Sequence, residues 1–311
     1  MAKIGSLEVS RLCLGANVFG WTADREASFA VLDAFVGAGG TVIDTADSYM
    51  WRVPGNSGGE SETIIGDWMA TRGNRDDVVL ATKVGSLPSR PGLSAANIAA
   101  ACADSLSRLR TDRIDLYWAH KDDPDTPQEE ALGAFDALVR AGSVREIGAS
   151  NFSADRLRSA LDLSASAGTA AYAAAQPHYN LVERAEFEAD LAPLLAERGV
   201  ACLPYYALAK GFLTGKYRPG VSVDSHRAAG NEKLLDEVTL ALLGALDTVA
   251  DAHRTTVAAV ALAWLAGQPG VSSPIASARR VEQLQDLLPM ATLTLTDDDR
   301  ALLAGAAGGA R

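Results

Sequence analysis

The sequence predicts a (β/α)8 barrel, read as a single domain over residues 1–311. Two observations carry that prediction. Eight short runs rich in Val, Ile, Leu and Ala alternate with helix-like segments between about residue 11 and residue 289. Strand–helix alternation of this regularity means a parallel sheet, and eight units closing on themselves is the economical arrangement. The runs also end in polar residues that are poor choices for random burial: Asp44, Lys83, His120, Ser150-Asn151, Gln176 and Tyr205. In a barrel these endings share one face, the carboxyl-terminal face that carries active sites. An open doubly wound sheet is the alternative, but no GxGxxG follows the first strand-like run.

In order, strands are expected near 12–18, 41–44, 78–83, 114–119, 145–149, 172–176, 200–204 and 271–275. The helices between them announce themselves through caps. Ser57-Gly-Gly-Glu60 has the capping-box spacing before a helix over 61–72. Ser94 opens 95–109 and Ser153 opens 154–166. Thr126-Pro127-Gln128-Glu129 combines a cap with a proline at the first helical position. Thr296 precedes Asp297-Asp298-Asp299, and acids suit a helix amino end. One segment breaks the rhythm. Residues 206–230 hold Gly211, Gly215, Gly220 and Gly230 and few apolar positions. A connection this long inside a compact domain is usually functional, and it reads as a flap over a ligand.

Composition narrows the function classes. The net charge of −11 argues against a nucleic-acid or anionic-membrane partner, since both need a basic face. Cys13, Cys102 and Cys202 are odd in number and lack CxxC or Cys/His spacing, so thiols in or near the core are expected, with no disulfide framework and no metal. Met1-Ala-Lys-Ile-Gly-Ser-Leu-Glu is too polar for a secretory leader, and no apolar run approaches the ~18 residues of a membrane span. A cytoplasmic location follows as the expectation.

Asp44, Tyr49, Lys83 and His120 at one barrel face make a proton-transfer set. A phenol near pKa ~10 is a poor acid at neutral pH unless its phenolate is favoured, which a lysine ammonium a few ångströms away does. An aspartate beside the lysine holds the ammonium and keeps it charged. A histidine can fix a substrate oxygen beside the phenol. Together they suit protonation of a carbonyl oxygen as a hydride reaches its carbon. Phe19, Trp21, Trp51, Trp118 and Tyr206 are expected near the mouth, where they fit an apolar or aromatic carbonyl compound or a stacked sugar, although Trp118 shares its strand side with His120 and could pack inside.

The motifs together resemble the aldo-keto reductases. The likeness runs from Leu12 to about Leu288 through Gly40-Thr-Val-Ile-Asp44-Thr-Ala-Asp-Ser-Tyr49, Gly59-Glu-Ser-Glu62, Ala81-Thr-Lys83, Ile114-Asp-Leu-Tyr-Trp-Ala-His120, Gly148-Ala-Ser-Asn151-Phe, Gln176-Pro-His-Tyr-Asn180, Leu213-Thr-Gly-Lys216-Tyr and Pro274-Ile-Ala-Ser-Ala-Arg279. The nearer relatives resemble bacterial reductases and the potassium-channel β subunits. The resemblance implies Tyr49 as general acid, Lys83 and Asp44 tuning it, and His120 orienting the carbonyl. It implies an NADP(H) cofactor and a small-molecule carbonyl substrate, on a monomer or small homo-oligomer. Ser150, Asn151 and Gln176 would bind the nicotinamide carboxamide and Tyr205 would stack on its ring. Lys216 would reach the pyrophosphate. Arg279 and Gln283 would lie at the adenosine phosphate and Asp286 near the adenine, with Tyr206, Leu208 and Ser277 completing the set. Arg279-Arg280, opening the helix after strand eight, reads as a 2′-phosphate site that favours NADPH over NADH. The chain departs from the family at Tyr206-Ala207, where relatives usually carry Ser-Pro, at Lys210, where a small residue is usual, and at Leu287, where an Asn is usual. A nucleotide-sensing regulatory subunit with little turnover is the runner-up, because the channel β subunits share fold and cofactor.

Overall fold

The computed structural model describes residues 1–224 and 228–308. Eight parallel strands form one curled sheet: Cys13–Gly15, Val42–Asp44, Val79–Val84, Ile114–Ala119, Val144–Ser150, Tyr172–Gln176, Ala201–Cys202 and Ile275–Ala276. The last pairs with the first, Ile275 opposite Cys13 and Ala276 opposite Leu14. The circle closes between strands seven and eight through a parallel bridge of Cys202 with Val271, the Ser272 N–H donating to Cys202 O at 2.8 Å. This is the expected (β/α)8 barrel.

The strands sit where the apolar runs lie, but several are shorter. Strand one spans Cys13–Gly15 rather than 12–18, because the chain turns away at Ala16, whose N–H crosses to Asp44 O at 2.8 Å. Strand seven stops before Pro204, which has no N–H to give a ladder. Strand eight is displaced to Ile275–Ala276, and the stretch before it makes the closing bridge instead. The central strands are buried on both faces, which explains their near-continuous apolar sequences.

Most caps behave as read. Ser94 accepts from Asn97 N, Ser153 from Arg156 N, and Thr296 forms a reciprocal capping box with Asp299. Two do not. The helix Glu60–Arg72 is capped by Gly59 in the left-handed region, and only the reach-back half of the expected box survives: Glu60 Oε1 accepts from Ser57 N at 2.6 Å. Helix Gln128–Arg140 starts one residue later than expected, with Pro127 as its cap, because the Thr126 hydroxyl is committed to Asp123 Oδ2 at 2.7 Å.

The core has two shells. Strands and helices enclose the larger one; the inner one fills the barrel with Val42, Ala81, Leu116, Trp118, Ala174, Leu203 and Ile275. A hairpin that sequence periodicity did not reveal, Ala2–Ile4 with Leu7–Val9, adds Ile4, Leu7 and Val9 to that inner cluster. Its turn uses Gly5 at φ +52° and is held by Ser6 N donating to Glu146 Oε1 at 2.7 Å, near the amino end of strand five. The hairpin therefore stoppers the end of the barrel opposite the polar strand endings. Each of its three buried aliphatic side chains contributes ~1.5–3 kcal/mol.

Two expected mouth aromatics lie elsewhere. Trp118 is fully buried in the inner cluster and Phe19 in the outer one, while Trp51 packs under the Arg52 guanidinium at 4.9 Å. Trp118 fits because Gly148 on the adjacent strand has no side chain; a Cβ there would lie 2.3 Å from the indole. The indole has no room to retreat inside the barrel, so Gly148→Ala should destabilise the fold by about 1–3 kcal/mol through overpacking. Urea unfolding checks this, and an unchanged midpoint would contradict the packing described.

Candidate active site

Strand ends and the loops that follow them deliver polar residues to one cavity of about 640 Å³. Asp44, Tyr49, His120, Ser150, Asn151, Gln176, Tyr205, Tyr206, Leu208, Lys216, Ser277, Arg279, Gln283 and Asp286 all line it. Lys83 lies behind this wall, fully buried, and reaches the lining through Asp44 and Tyr49. The residues expected at the site are thus brought together.

The inner end is a closed hydrogen-bond set. Lys83 Nζ donates to the Asp44 carboxylate, to Thr45 O at 2.7 Å and to Tyr49 OH at 2.8 Å. An ammonium has three donors, so none is left over. Tyr49 OH donates to Asp44 Oδ2 at 3.2 Å, and Gln176 Nε2 donates to Asp44 Oδ1 at 3.0 Å. The imidazole of His120 stands edge-on to Tyr49, ring centroids 6.1 Å apart. Its Nδ1 lies 3.2 Å from Ser48 Oγ.

Electrostatics here correct one expectation. Burial first, then the Asp44 charge, hold the Tyr49 phenol well above its ordinary value. Lys83 opposes that rise without reversing it, so the phenol keeps its proton. Burial also lowers Lys83, with Asp44 pulling the other way. Burial, followed by the charges of Lys83 and Lys121, pushes His120 down to about 3, so the imidazole is neutral. Beside this set, Asp47 is pushed up to about 7 by burial and by Glu62.

The middle of the cavity carries amide and aromatic groups. Ser150 Oγ donates to Gln176 O at 3.0 Å, and Asn151 Nδ2 donates to His120 O at 2.9 Å. Asn151 takes φ +57°, which an asparagine tolerates better than most side chains. Tyr205 OH donates to Asn151 Oδ1 at 2.7 Å, and one ring face stacks on His178 at 5.3 Å and 13°.

The outer end is cationic. Lys210, Lys216, Arg279 and Arg280 line it in a chain of net charge −11. The Arg279 N–H donates to Gln283 Oε1 at 2.9 Å, while the Arg280 guanidinium turns toward Glu282 at 3.7 Å. Only Arg279 of the pair therefore leaves its side chain uncommitted to a neighbouring acid among the described residues. Lys210, one of the departures, sits 4.9 Å over the Tyr206 ring.

The segment read as a flap is more anchored than expected. Residues 209–214 form two short turns across a kink at Lys210 and Gly211, and Leu208, Phe212, Leu213 and Tyr217 are buried in the outer core. Tyr206, Ala209 and Lys210 all take positive φ, held by Asn180 Nδ2 on Tyr206 O at 3.1 Å and Asn231 Nδ2 on Lys210 O at 3.2 Å. Residues 225–227 lie outside the described part. Sequence reading missed Asn17 and Thr22 after strand one; Asn17 Oδ1 accepts from Ser277 Oγ at 2.6 Å. Asn17 follows Leu14-Gly-Ala as the other site residues follow their strands, so the same pattern would have found it.

Among the described residues no helix is long and apolar enough to cross a membrane, and no cluster of three or more His, Cys, Asp or Glu could hold a metal ion. Cys13, Cys102 and Cys202 are buried free thiols.

A sequence profile of the aldo/keto reductase family matches residues 11–307. An uncharacterized oxidoreductase, YrpG, of Bacillus subtilis is 36% identical over 93% of this chain and 89% of its own. A probable voltage-gated potassium channel subunit beta of Arabidopsis thaliana is 31% identical over 94% and 92%. Norsolorinic acid reductase stcV of Emericella nidulans is 31% identical over 96% and 78%.

Lys83→Met should cost about 3–5 kcal/mol of stability, because it strands the Asp44 carboxylate in the interior. Adding Asp44→Asn should recover most of that loss. Urea unfolding of the single and double variants measures it. A loss below about 1 kcal/mol for the single variant would show the pair to be effectively solvated.

Proposed function

The chain belongs to the aldo/keto reductase family, and we propose that it reduces an aldehyde or ketone to an alcohol with NADPH, Tyr49 supplying the proton. The observation that carries this is the Tyr49 phenol, protonated and held between Lys83 and Asp44 at the inner end of a cavity whose outer end is cationic. An oxidoreductase of this family works with NAD(P)H on small carbonyl compounds. The choice of NADPH, the residue roles and the substrate are the proposed part, as are one barrel domain over residues 1–311, a cytoplasmic location and a monomer or small homo-oligomer.

The donor set fits a dinucleotide. Ser150, Asn151 and Gln176 offer amide and hydroxyl partners suited to a carboxamide, and Tyr205, backed by His178, presents its other ring face to the cavity. Lys216 would hold the pyrophosphate. Arg279 and Gln283 would hold the adenosine phosphate, Asp286 the adenine, and Tyr206, Leu208 and Ser277 would line the remainder. When bound, the cofactor supplies the hydride.

The protein's own groups handle the proton. Tyr49 holds it at neutral pH because burial and Asp44 disfavour the phenolate. As the carbonyl oxygen gains charge, that oxygen becomes a better acceptor than Asp44 Oδ2. The Lys83 ammonium 2.8 Å away then stabilises the phenolate left behind. His120, neutral, fixes the same oxygen. General acid help of this kind contributes roughly 10²–10⁴-fold.

A regulatory subunit that binds nucleotide with little turnover is the second reading, favoured by the channel-subunit relative. Loss of NADPH absorbance against a panel of aldehydes, ketones and sugars decides between them; tight NADPH binding with no turnover on any of them would select the second.

Tyr49→Phe keeps the ring and removes the hydroxyl. Turnover should fall by at least ~10²-fold while NADPH affinity barely changes. Near-normal turnover would remove Tyr49 from its role. Arg279→Ala should weaken NADPH by about 10–100-fold and leave NADH nearly unchanged, since a charge-assisted contact is worth roughly 1.5–3 kcal/mol. Equal losses in fluorescence titrations of both cofactors would reject a 2′-phosphate contact.

A further inference from the structure

Three non-glycine residues at the cavity wall take a backbone conformation that side chains avoid. Tyr206, Ala209 and Lys210 sit at φ +52°, +46° and +56°, and Gly211 follows at +97°. Glycine adopts this left-handed region freely, and other residues do so rarely. A glycine at position 210 would relax the turn there, as Gly211 does one residue on. A lysine stands there instead, so the strain is kept for the sake of a side chain.

Two buried asparagines hold the strained turn from behind. Asn180, fully buried, donates from Nδ2 to Tyr206 O at 3.1 Å. Asn231, 2% exposed, donates from Nδ2 to Lys210 O at 3.2 Å. Ala209 and Phe212 anchor the chain on either side in the outer core, and the Gly211 N–H donates to Leu208 O at 2.8 Å. With its carbonyl tied back and its neighbours anchored, Lys210 has its side chain on the cavity wall.

The ammonium meets no anion there. Among the described residues Lys210 makes no ion pair, and its Nζ lies 4.9 Å from the centre of the Tyr206 ring. Glu183 feels its charge but is committed to His178 Nε2 at 2.6 Å and to Asn180 Nδ2 at 3.0 Å. Lys216 reaches the same turn from further along the chain. A Cβ on Gly211 would lie 3.9 Å from Lys216 Nζ, so that ammonium hangs beside the residue that follows Lys210. Lys216 also rests over an aromatic ring, that of Tyr217 at 5.3 Å. One turn thus brings two lysines to the cavity wall, each over a tyrosine.

We propose that Lys210 is a phosphate-binding residue of the cavity, sharing the two negative charges of a pyrophosphate with Lys216 and resting on the Tyr206 ring when no anion is bound. The identity of the ligand rests on the dinucleotide reading; an anion site on this turn does not. In a pyrophosphate diester each phosphate carries one charge, and two ammonium groups from one turn match them. Tyr206 is 38% exposed, and a cation over an exposed ring gains little. The ammonium therefore gives up little when it moves to a phosphate oxygen, where the contact is charge-assisted on both sides. The strained backbone aims the lysine before the anion arrives, which lowers the cost of ordering it on binding.

Fluorescence titration of the full chain with NADPH and with NADH tests the assignment. Lys210→Met keeps most of the stem and removes the charge, so it should weaken both cofactors alike, by about 10–100-fold. Lys210→Arg, which restores the charge, should recover most of the affinity. Unchanged affinity in Lys210→Met overturns the proposal. A loss confined to NADPH overturns it as well, because the contact would then be to the 2′-phosphate. Lys210→Gly separates binding from folding. Its affinity should fall as in Lys210→Met, while its thermal midpoint holds or rises because glycine relieves the strained φ. A midpoint that falls with the affinity shows that Lys210 braces the turn and overturns the proposal. If the wild type binds neither cofactor, the dinucleotide reading fails, and calorimetric titration with inorganic pyrophosphate decides the anion site. Binding that Lys210→Met weakens sustains that site, and no binding ends it.

Discussion

The buried contact between Lys83 and Asp44 is the constraint around which the rest of the molecule is arranged. Both side chains are about 1% exposed, on neighbouring parallel strands. Two charges taken out of water are tolerated only when their remaining hydrogen-bonding capacity is filled. Here it is filled by Thr45 O and Tyr49 OH from the loop after the second strand and by the Gln176 amide from the sixth. The barrel must hold three strands and a loop in register to satisfy one ion pair, and satisfying it fixes the phenol at the cavity wall. The need for a packed interior and the placing of the Tyr49 phenol are met by the same atoms.

The same low-dielectric setting explains why His120 and Tyr49 are both uncharged beside a cation. For the imidazole, burial and two nearby lysines act in one direction. For the phenol, burial first and the Asp44 charge second act together to hold it up. The expectation that the Lys83 ammonium, held by Asp44, would lower the Tyr49 phenol left out the medium. A sequence names the neighbours; the degree of burial, which sets the larger effect here, comes only from the closed barrel.

Strand–helix alternation and the polar strand endings were enough to read the barrel and the face that gathers Asp44, Lys83, His120, Ser150, Asn151, Gln176 and Tyr205, whereas Leu208, Lys216, Ser277, Arg279, Gln283 and Asp286 were legible only through the family resemblance. These signals are local, and parallel β/α units turn local order into spatial order with few alternatives. What escaped depended on contacts distant in sequence. The opening hairpin is three residues a side, too short for a periodic signal, and is defined by burial against strands far along the chain. Trp118 was ambiguous because its placement depends on the absent side chain of Gly148, thirty positions later. Two caps escaped for local reasons instead: the Thr126 hydroxyl goes to Asp123, three residues back, and Gly59 in the left-handed region caps the helix in place of Ser57. Residues 206–230 read as a flap because they hold four glycines and few apolar positions, yet Ala207, Leu208, Ala209, Phe212, Leu213 and Tyr217 are buried.

The hairpin that fills the amino end of the barrel gives the protein an insulated architecture. Its apolar side chains and the Ser6–Glu146 contact sit at one pole, and every residue of the cavity sits at the other, with the packed interior between. Changes at one pole reach the other only through strands buried on both faces. The cavity pole can therefore acquire new loop sequences, and with them a new lining, without renegotiating what keeps the chain folded. The amino pole can likewise be tightened or loosened to suit temperature without reshaping the cavity. In a barrel open at both ends the two demands would compete for the same residues; here they are decoupled along a single axis.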